Sequence, residues 1–430
     1  MRLKLALTAG LGLLTLAAQS PAAVPPRQNV EHVAAAIESG YYDPAKGKAI
    51  ADDLRAAAAK GQFDALIDPR DLATALTVRL QPLDHHFSVM WSPPATGPAQ
   101  SAPQGAAGRP GPMVAPGADR IGNYGFHRLE MLPEGVAYID LRGFADIDFA
   151  DPRDPARRAA DTALDFAANA DAVILDLRDN GGGAPAMVGY LTSAFTKPDA
   201  DIYNTFHSRE GASSEKPGVY RPGPRLDVPV YILTSGRSAS AAEALAYTLQ
   251  SAGRARTVGE ASAGGANPGG LVEVGEGLRV FVSSGSPINP ITHRNWEGTG
   301  VQPDVPAPAA SALRRARMAA LEQILAKPGA AVEARWTLDT LRAEAAPPKV
   351  DLAAYAGAFG GAVVSVQDGR LNLQREHRPA WVLTPLGGDL FTVADDPTRR
   401  VRFERDPAGA IIAMEQIYAA GFSARFLRGV

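Results

Sequence analysis

Short apolar runs and helical patterns alternate along most of this chain, and the way they alternate divides it. Val30, Val33 and Ile37 recur at the spacing of one helix face, and similar patterns return around Ile50 to Leu54 and Leu72 to Leu80. Residues 24–92 therefore read as an N-terminal helical domain. From 119 to 308 the period keeps changing. Val136 to Leu141 predicts a strand, Pro155 to Ala168 a helix, Ala172 to Leu177 a strand and Gly183 to Phe195 a helix. Val228 to Leu233 predicts a strand, Ala241 to Leu249 a helix and Arg256 to Val258 a strand. Such alternation makes βαβ units and a mostly parallel sheet, whose functional residues gather where strands end and helices begin. A helix rich in Ala and Arg, Ala310 to Leu325, and a Pro- and Ala-rich linker fill 309–349. In residues 350–430 the runs become short and close together: Val363 to Val366, Leu371 to Leu373, Trp381 to Leu383, Leu390 to Val393 and Val401 to Phe403. Turn signals at Asp368-Gly369 and Asp406-Pro407-Ala408-Gly409 fall between them, which predicts a separate antiparallel β domain, barrel-like in form.

Composition adds limits to this picture. Residues 93–118 are dense in Pro, Gly and Ala and nearly free of charge, as in a linker or long loop. Apolar residues make up 46% of the 430 and charged residues 21%, an ordinary globular mixture. A formal net charge of -3 leaves no electrostatic footprint for nucleic acid or anionic membrane. Arg2 and Lys4, the apolar run Leu5 to Ala18 and the small residues through Ala23 predict a secretory signal peptide over 1–23. That run is shorter than the roughly 20 residues needed to cross a bilayer, and no other segment approaches such a length. A periplasmic or secreted location follows. There is no Cys, hence no disulfide framework.

Four segments could carry chemistry. Thr234 to Glu243 joins a predicted strand to a helix and contains Ser238-Ala239-Ser240-Ala241-Ala242-Glu243. A serine there has an exposed hydroxyl at the positive end of a helix dipole, although Ser240 with Glu243 also makes a capping box. Asp176-Leu177-Arg178-Asp179-Asn180-Gly181-Gly182-Gly183 ends another strand, and its glycines bring backbone N–H groups close to a ligand. An oxyanion hole, a phosphate cradle or a plain tight turn would all use them, but neither nucleotide-binding spacing is present. A serine nucleophile needs a base. Lys is absent between Lys216 and Lys327, which leaves seven histidines, of which His85 and His86 stand out in Leu83-Asp84-His85-His86-Phe87. Asp84, His85 and His86 would also suit a metal, but further ligands at recognisable spacing are missing. Last, Glu297 sits in the Gly-rich Asn295-Trp296-Glu297-Gly298-Thr299-Gly300-Val301-Gln302-Pro303-Asp304, either to orient an imidazole or merely in water.

Taken in this order, the four segments resemble the tail-specific (C-terminal processing) peptidase superfamily, which also contains the tricorn protease core and the interphotoreceptor retinoid-binding protein. The similarity runs over about residues 28 to 307. It implies an α/β, crotonase-like (ClpP/crotonase) catalytic domain, here between a helical domain and an antiparallel β domain that looks lipocalin-like. In the family's nucleophile motif the serine lies three residues before the acidic one, which selects Ser240, with Ser238 as runner-up. The branch that uses a lysine base has it where this chain has Gly265, so that mechanism does not transfer. The tricorn-like branch takes its base from an Asp-x-His string and a glutamate from the Pro-Asp loop, which map to His86 and Glu297. The resemblance further implies an oxyanion hole from the N–H groups of Gly182 and Ala241, no cofactor, no metal, and a peptide or protein substrate. The processing peptidases insert a PDZ module, for which the stretch between Trp91 and Leu129 is too short. A lipophilic-ligand-binding protein and a hydrolase of non-peptide esters or amides are the competing expectations.

Overall fold

The computed structural model describes residues 24–93, 118–394 and 396–429. The expected signal peptide and nearly all of the expected linker lie outside the described residues. The described chain opens with helices α1 (Pro26–Gly40), α2 (Pro44–Ala59) and α3 (Pro69–Leu80), then strand β1 (Val89–Trp91). Each helix starts on a proline, whose missing N–H is one the first turn would leave unpaired. Asp43 and Asp68 cap α2 and α3, accepting from the N–H groups of Ala45 and Lys46 and of Arg70.

Past the short helix α4 (Ala118–Ile121) come β2 (Phe126–Met131), β3 (Val136–Leu141), α5 (Pro155–Phe166), β4 (Ala172–Asp176) and α6 (Pro185–Ser193). The hairpin β5 (Thr205–Ser208) and β6 (Gly211–Ser214) leads to β7 (Val230–Thr234), α7 (Ala241–Ser251) and β8 (Arg256–Gly259). Then follow β9 (Gly269–Gly275), β10 (Leu278–Ser283), β11 (Gly285–Ile288) and the two-residue β12 (Val305–Pro306). Six of these strands form one sheet in the order β12-β8-β7-β4-β3-β2, all parallel except β2. Side chains alternate across it. Ala137, Ile139, Leu141, Val173, Leu175, Val230 and Ile232 pack on α5, α6 and α7. Val136, Tyr138, Ile174, Tyr231 and Leu233 pack on helices α8 (Ala309–Leu325) and α9 (Val332–Ala345). The result is a three-layer α/β/α unit. Helix α9 stands in the stretch read as linker: alanine is the best helix former, and Pro328 and Pro347 mark only its ends.

The N-terminal helices do not close a core by themselves. Val33, Ile37, Leu54, Leu76 and Phe87 cluster with Leu278, Val280 and Val282, which point inward from β10. β10 is flanked by β1 and β9. Each such side chain, fully buried, contributes about 1.5–3 kcal/mol. The junction is also hydrogen-bonded, from Tyr42 N–H to Ser283 O at 2.9 Å and from Arg209 Nε to Tyr41 O at 2.6 Å. Strands β9 to β11 escaped the reading of apolar runs because glycine and charged residues interrupt them.

The C-terminal segment is an antiparallel meander: β13 (Gly357–Phe359), β14 (Ala362–Gln367), β15 (Arg370–Arg375), β16 (Trp381–Gly387), β17 (Leu390–Val393), β18 (Asp396–Arg405), β19 (Ile411–Tyr418) and β20 (Ser423–Leu427). Phe359 bridges to Arg428, and Gly429 N–H donates to Ala358 O at 2.9 Å, so the two edges meet in a near-closed barrel. Phe359, Leu371, Phe391, Phe403 and Met414 fill its middle.

Candidate active site

Ser240 stands at the turn from β7 into α7, with φ 55° and ψ -118°. That left-handed conformation is readily open only to glycine, and holding a serine in it costs about 1–3 kcal/mol. Several bonds hold the turn. Ser240 N–H donates to Glu243 Oε2 at 2.7 Å, and Ala239 N–H donates to Asn180 O at 3.0 Å. Ser238 is sealed from solvent, and its hydroxyl donates to Leu177 O at 2.6 Å, so it serves as a strut between neighbouring strands. Ser240 remains part-exposed.

The glycine string after β4 lies against this serine. A Cβ on Gly182 (φ +110°) would come within 2.8 Å of Ser240 Cβ and 3.1 Å of Ala241 N, so only glycine fits. Ala241 N–H heads its helix and has no intrahelical acceptor. Gly182 N–H donates to Asn180 Oδ1 at 2.8 Å, while Asn180 Nδ2 donates to Leu141 O at 2.9 Å. The buried Asn180 thus fixes the loop against both the sheet and the serine turn.

Opposite lies the loop 261–268, whose successive N–H groups are taken by named acceptors. Ala263 donates to Ser238 O, Gly264 and Gly265 to Glu243, and Ala266 and Asn267 to Glu297, at 2.6 to 3.2 Å. Ser262 Oγ also donates to Glu243, at 2.6 Å. Glu243 therefore accepts four bonds in a fully buried position, one of them from the Ser240 backbone. Burial pushes its carboxyl above the ordinary carboxylate value, and the donors pull it back. The buried Trp296 pins the same loop, its Nε1 donating to Gly265 O at 3.2 Å.

His86 rests on that loop. A Cβ on Gly265 would lie 2.8 Å from His86 Cε1, so the imidazole fills the space a side chain at 265 would need. The ring stacks on Phe281 at 5.5 Å, and its Nδ1 is buried without a hydrogen-bond partner among the described residues. Asp84, Glu297 and His86 bring side-chain atoms within 4.8 Å of one another. Asp84 is buried and accepts from His86 N–H at 3.0 Å, Tyr41 Oη at 3.1 Å and Asn267 Nδ2 at 3.0 Å. Glu297 accepts from the N–H groups of His85, Ala266 and Asn267 and makes no hydrogen bond to the His86 ring. Burial holds the imidazole below its ordinary value of 6.5, against the opposing pull of the Asp84 and Glu297 charges. These three side chains are also the ones that could hold a cation, yet every oxygen of both carboxylates already accepts an N–H or O–H. The exposed His85 turns away, its Nδ1 3.1 Å from Ala263 O.

The fold thus brings Ser240, Gly182 and Ala241 together on one side of loop 261–268 and His86 and Glu297 on the other, with no direct bond between Ser240 and His86. From sequence, Asp84 reads as a metal-ligand candidate and Glu243 as a helix cap, and neither as part of the peptidase site. The Asp-x-His spacing and the position three residues after Ser240 were their signals. Gly265→Ala should drive His86 off its seat and lower kcat by on the order of 100-fold with little change in melting temperature. Wild-type turnover by that variant would show the seat to be irrelevant.

Residues 135–307 match the sequence model of peptidase family S41. The chain is 28% identical over 183 residues to the carboxyl-terminal-processing peptidase 1, chloroplastic, of Arabidopsis thaliana, covering 41% of this chain and 35% of that protein. It is 30% identical over 139 residues to the carboxyl-terminal-processing protease of Picosynechococcus sp. (strain ATCC 27264 / PCC 7002 / PR-6), covering 32% of each. The chain therefore spans about a third of the length of these curated relatives. A solved lipoprotein structure from Streptococcus agalactiae aligns with 15% identity and a TM-score of 0.43, over 74% of this chain and all of that one. The strand-to-helix turns and glycine string described above all fall inside residues 135–307, the stretch that is similar to peptidase family S41.

Proposed function

We propose that the chain is a serine-type peptidase that hydrolyses peptides or unfolded proteins in the cell envelope. The observation that carries this reading is the strained Ser240 at a helix start, faced by Gly182 and Ala241, with a desolvated imidazole across loop 261–268. In the proposed mechanism His86 takes the proton from Ser240 as Oγ attacks the carbonyl carbon, then returns it to the leaving amine. Glu297, with Asp84, stabilises the imidazolium formed in between. Ala241 N–H and Gly182 N–H hold the oxyanion, the latter after Asn180 Oδ1 releases it. Ser240 and His86 come into bonding contact with substrate present, since catalytic hydrogen bonds often tighten only in the complex. The envelope location rests on the predicted signal sequence. The proposed activity does not include recognition of substrate C-termini by a PDZ module, for which the stretch between Trp91 and Leu129 is too short.

A fluorophosphonate probe with peptide mapping tests the assignment: the label should sit on Ser240. Labelling elsewhere, or none where control serine hydrolases react, removes it. The pH profile is a second test. A base held below its ordinary value stays neutral at pH 7, so the acid limb of kcat/KM should centre below pH 6.5. Asp84→Asn removes a charge that raises this value and should move the limb further down. A limb that stays in place in Asp84→Asn would disconnect that carboxylate from the base.

A further inference from the structure

The C-terminal barrel carries unpaired donors that no part of the peptidase reading uses. In β15, Leu371 and Leu373 point into the barrel, and Arg375, two residues on, shares their face. Its guanidinium carbon lies 4.2 Å from the ring centre of Phe426 in β20. β15 and β20 do not pair, so this contact runs across the interior. Nε and Nη2 of Arg375 are both buried and have no hydrogen-bond partner among the described residues. Gln416, on the inward face of β19, is 2% exposed, and its Nε2 is likewise unpartnered. Its Oε1 accepts from Tyr418 Oη at 3.2 Å. Arg399 completes the ring of groups at this end, lying 4.8 Å from the centre of Trp381 and 5.3 Å from that of Tyr418, with Asp396 as its ion-pair partner.

Buried donors left unsatisfied cost about 1–3 kcal/mol each and call for an explanation. The nitrogens concerned also say what would satisfy them. Nε and Nη2 are the two donors on one edge of a guanidinium, spaced to grip both oxygens of a carboxylate. Elsewhere in this chain the same edge does so: Arg317 takes Glu134 through Nε and Nη2, and Arg425 takes Glu404. In Arg375 that edge is unmatched. Phe426 lies against Arg375, and at the same end Trp381 and Tyr418 lie against Arg399; such rings favour an apolar neighbour over a hydrated ion. We propose that this end of the barrel binds a monocarboxylate with an apolar or aromatic body, gripped side-on by Arg375 and assisted by the Gln416 amide. The core beneath is filled by Phe359, Phe391 and Phe403, so the ligand sits at the end of the barrel, beneath Phe426, and does not thread through it.

Two sources share this chemistry, the C-terminal carboxylate of a peptide and a fatty acid. The full chain is titrated with N-acetyl-phenylalanine and, separately, with decanoate, each against its carboxamide, while tryptophan emission is followed. Saturable change with an acid and none with its amide is expected, with the signal lost in Trp381→Phe. The tighter acid names the source. Arg375→Lys keeps the charge without the fork and should bind on the order of tenfold weaker or worse. Should that variant fail to fold, Gln416→Glu provides the second arm, since an internal carboxylate near the fork should weaken both acids. No saturable response to either acid, an equal response to the amides, or unchanged affinity in a folded Arg375→Lys overturns the proposal.

Discussion

Ser240→Ala is expected to cut peptide hydrolysis by on the order of 10⁴-fold or more and to abolish fluorophosphonate labelling. Ser238→Ala cannot mimic it by the same route, because the Ser238 hydroxyl is buried and committed to Leu177 O; its loss weakens a strut. The backbone at 240 makes a further variant informative. Ser240→Gly should be as inactive as Ser240→Ala, yet more stable than it by about 1 kcal/mol, since glycine occupies φ 55° without strain. Kinetics with a fluorogenic peptide and thermal melts of the three proteins decide this. Residual activity of Ser240→Ala near wild type would end the nucleophile assignment. A Ser240→Gly that melts below Ser240→Ala would contradict the strain.

Glu243→Gln is expected to have the second largest effect, on stability and turnover together. All four partners of Glu243 are donors, Ser240 N–H, Ser262 Oγ–H, Gly264 N–H and Gly265 N–H, so both carboxylate oxygens act as acceptors. An amide puts an NH2 against Ser240 N–H and Gly265 N–H in one orientation and against Gly264 N–H in the other, where the Ser262 hydroxyl can turn to accept. Leaving buried donors opposed costs about 2–5 kcal/mol. The same four bonds join the backbone of Ser240, the proposed nucleophile, to the seat of His86, so kcat should fall on the order of 100-fold while KM moves less. Calorimetry and steady-state kinetics on Glu243→Gln measure both. A variant that melts and turns over like wild type would show that loop 261–268 is held by other means.

Local pattern carried the central sheet and failed at its margins, for identifiable reasons. β3, β4 and β7 are short, fully buried runs, which length and β-branched content reveal as strands. β9 and β10 are Gly-rich or charged on one face, and their partners in the core are helices some 200 residues earlier in the chain, a pairing no window reaches. At the site, Ser240 was legible as a residue at a strand-to-helix turn, but its backbone strain was not. Glu243 read as a helix cap because Ser-x-x-Glu spacing marks one; that it also gathers three groups from loop 261–268 depends on tertiary packing. Asp84 reads as one of three residues in a metal string, and only its bonds to Tyr41, Asn267 and the His86 backbone show a carboxylate placed as an anchor.

The core shared between the N-terminal helices and β10 has one more consequence. The stretch that matches the family model begins at residue 135, so it contains Ser240 and Glu297 but neither His86 nor Asp84. On the proposed assignment, the nucleophile and its base are next to Ala241 and Phe87, which pack in two different hydrophobic clusters, and the base keeps its seat only while Val33 and Ile37 stay docked on Val280 and Val282. A small molecule wedged into that seam would silence the proposed activity without touching Ser240. It would act as a noncompetitive inhibitor, with substrate still bound against Ser240 and no imidazole to receive its proton.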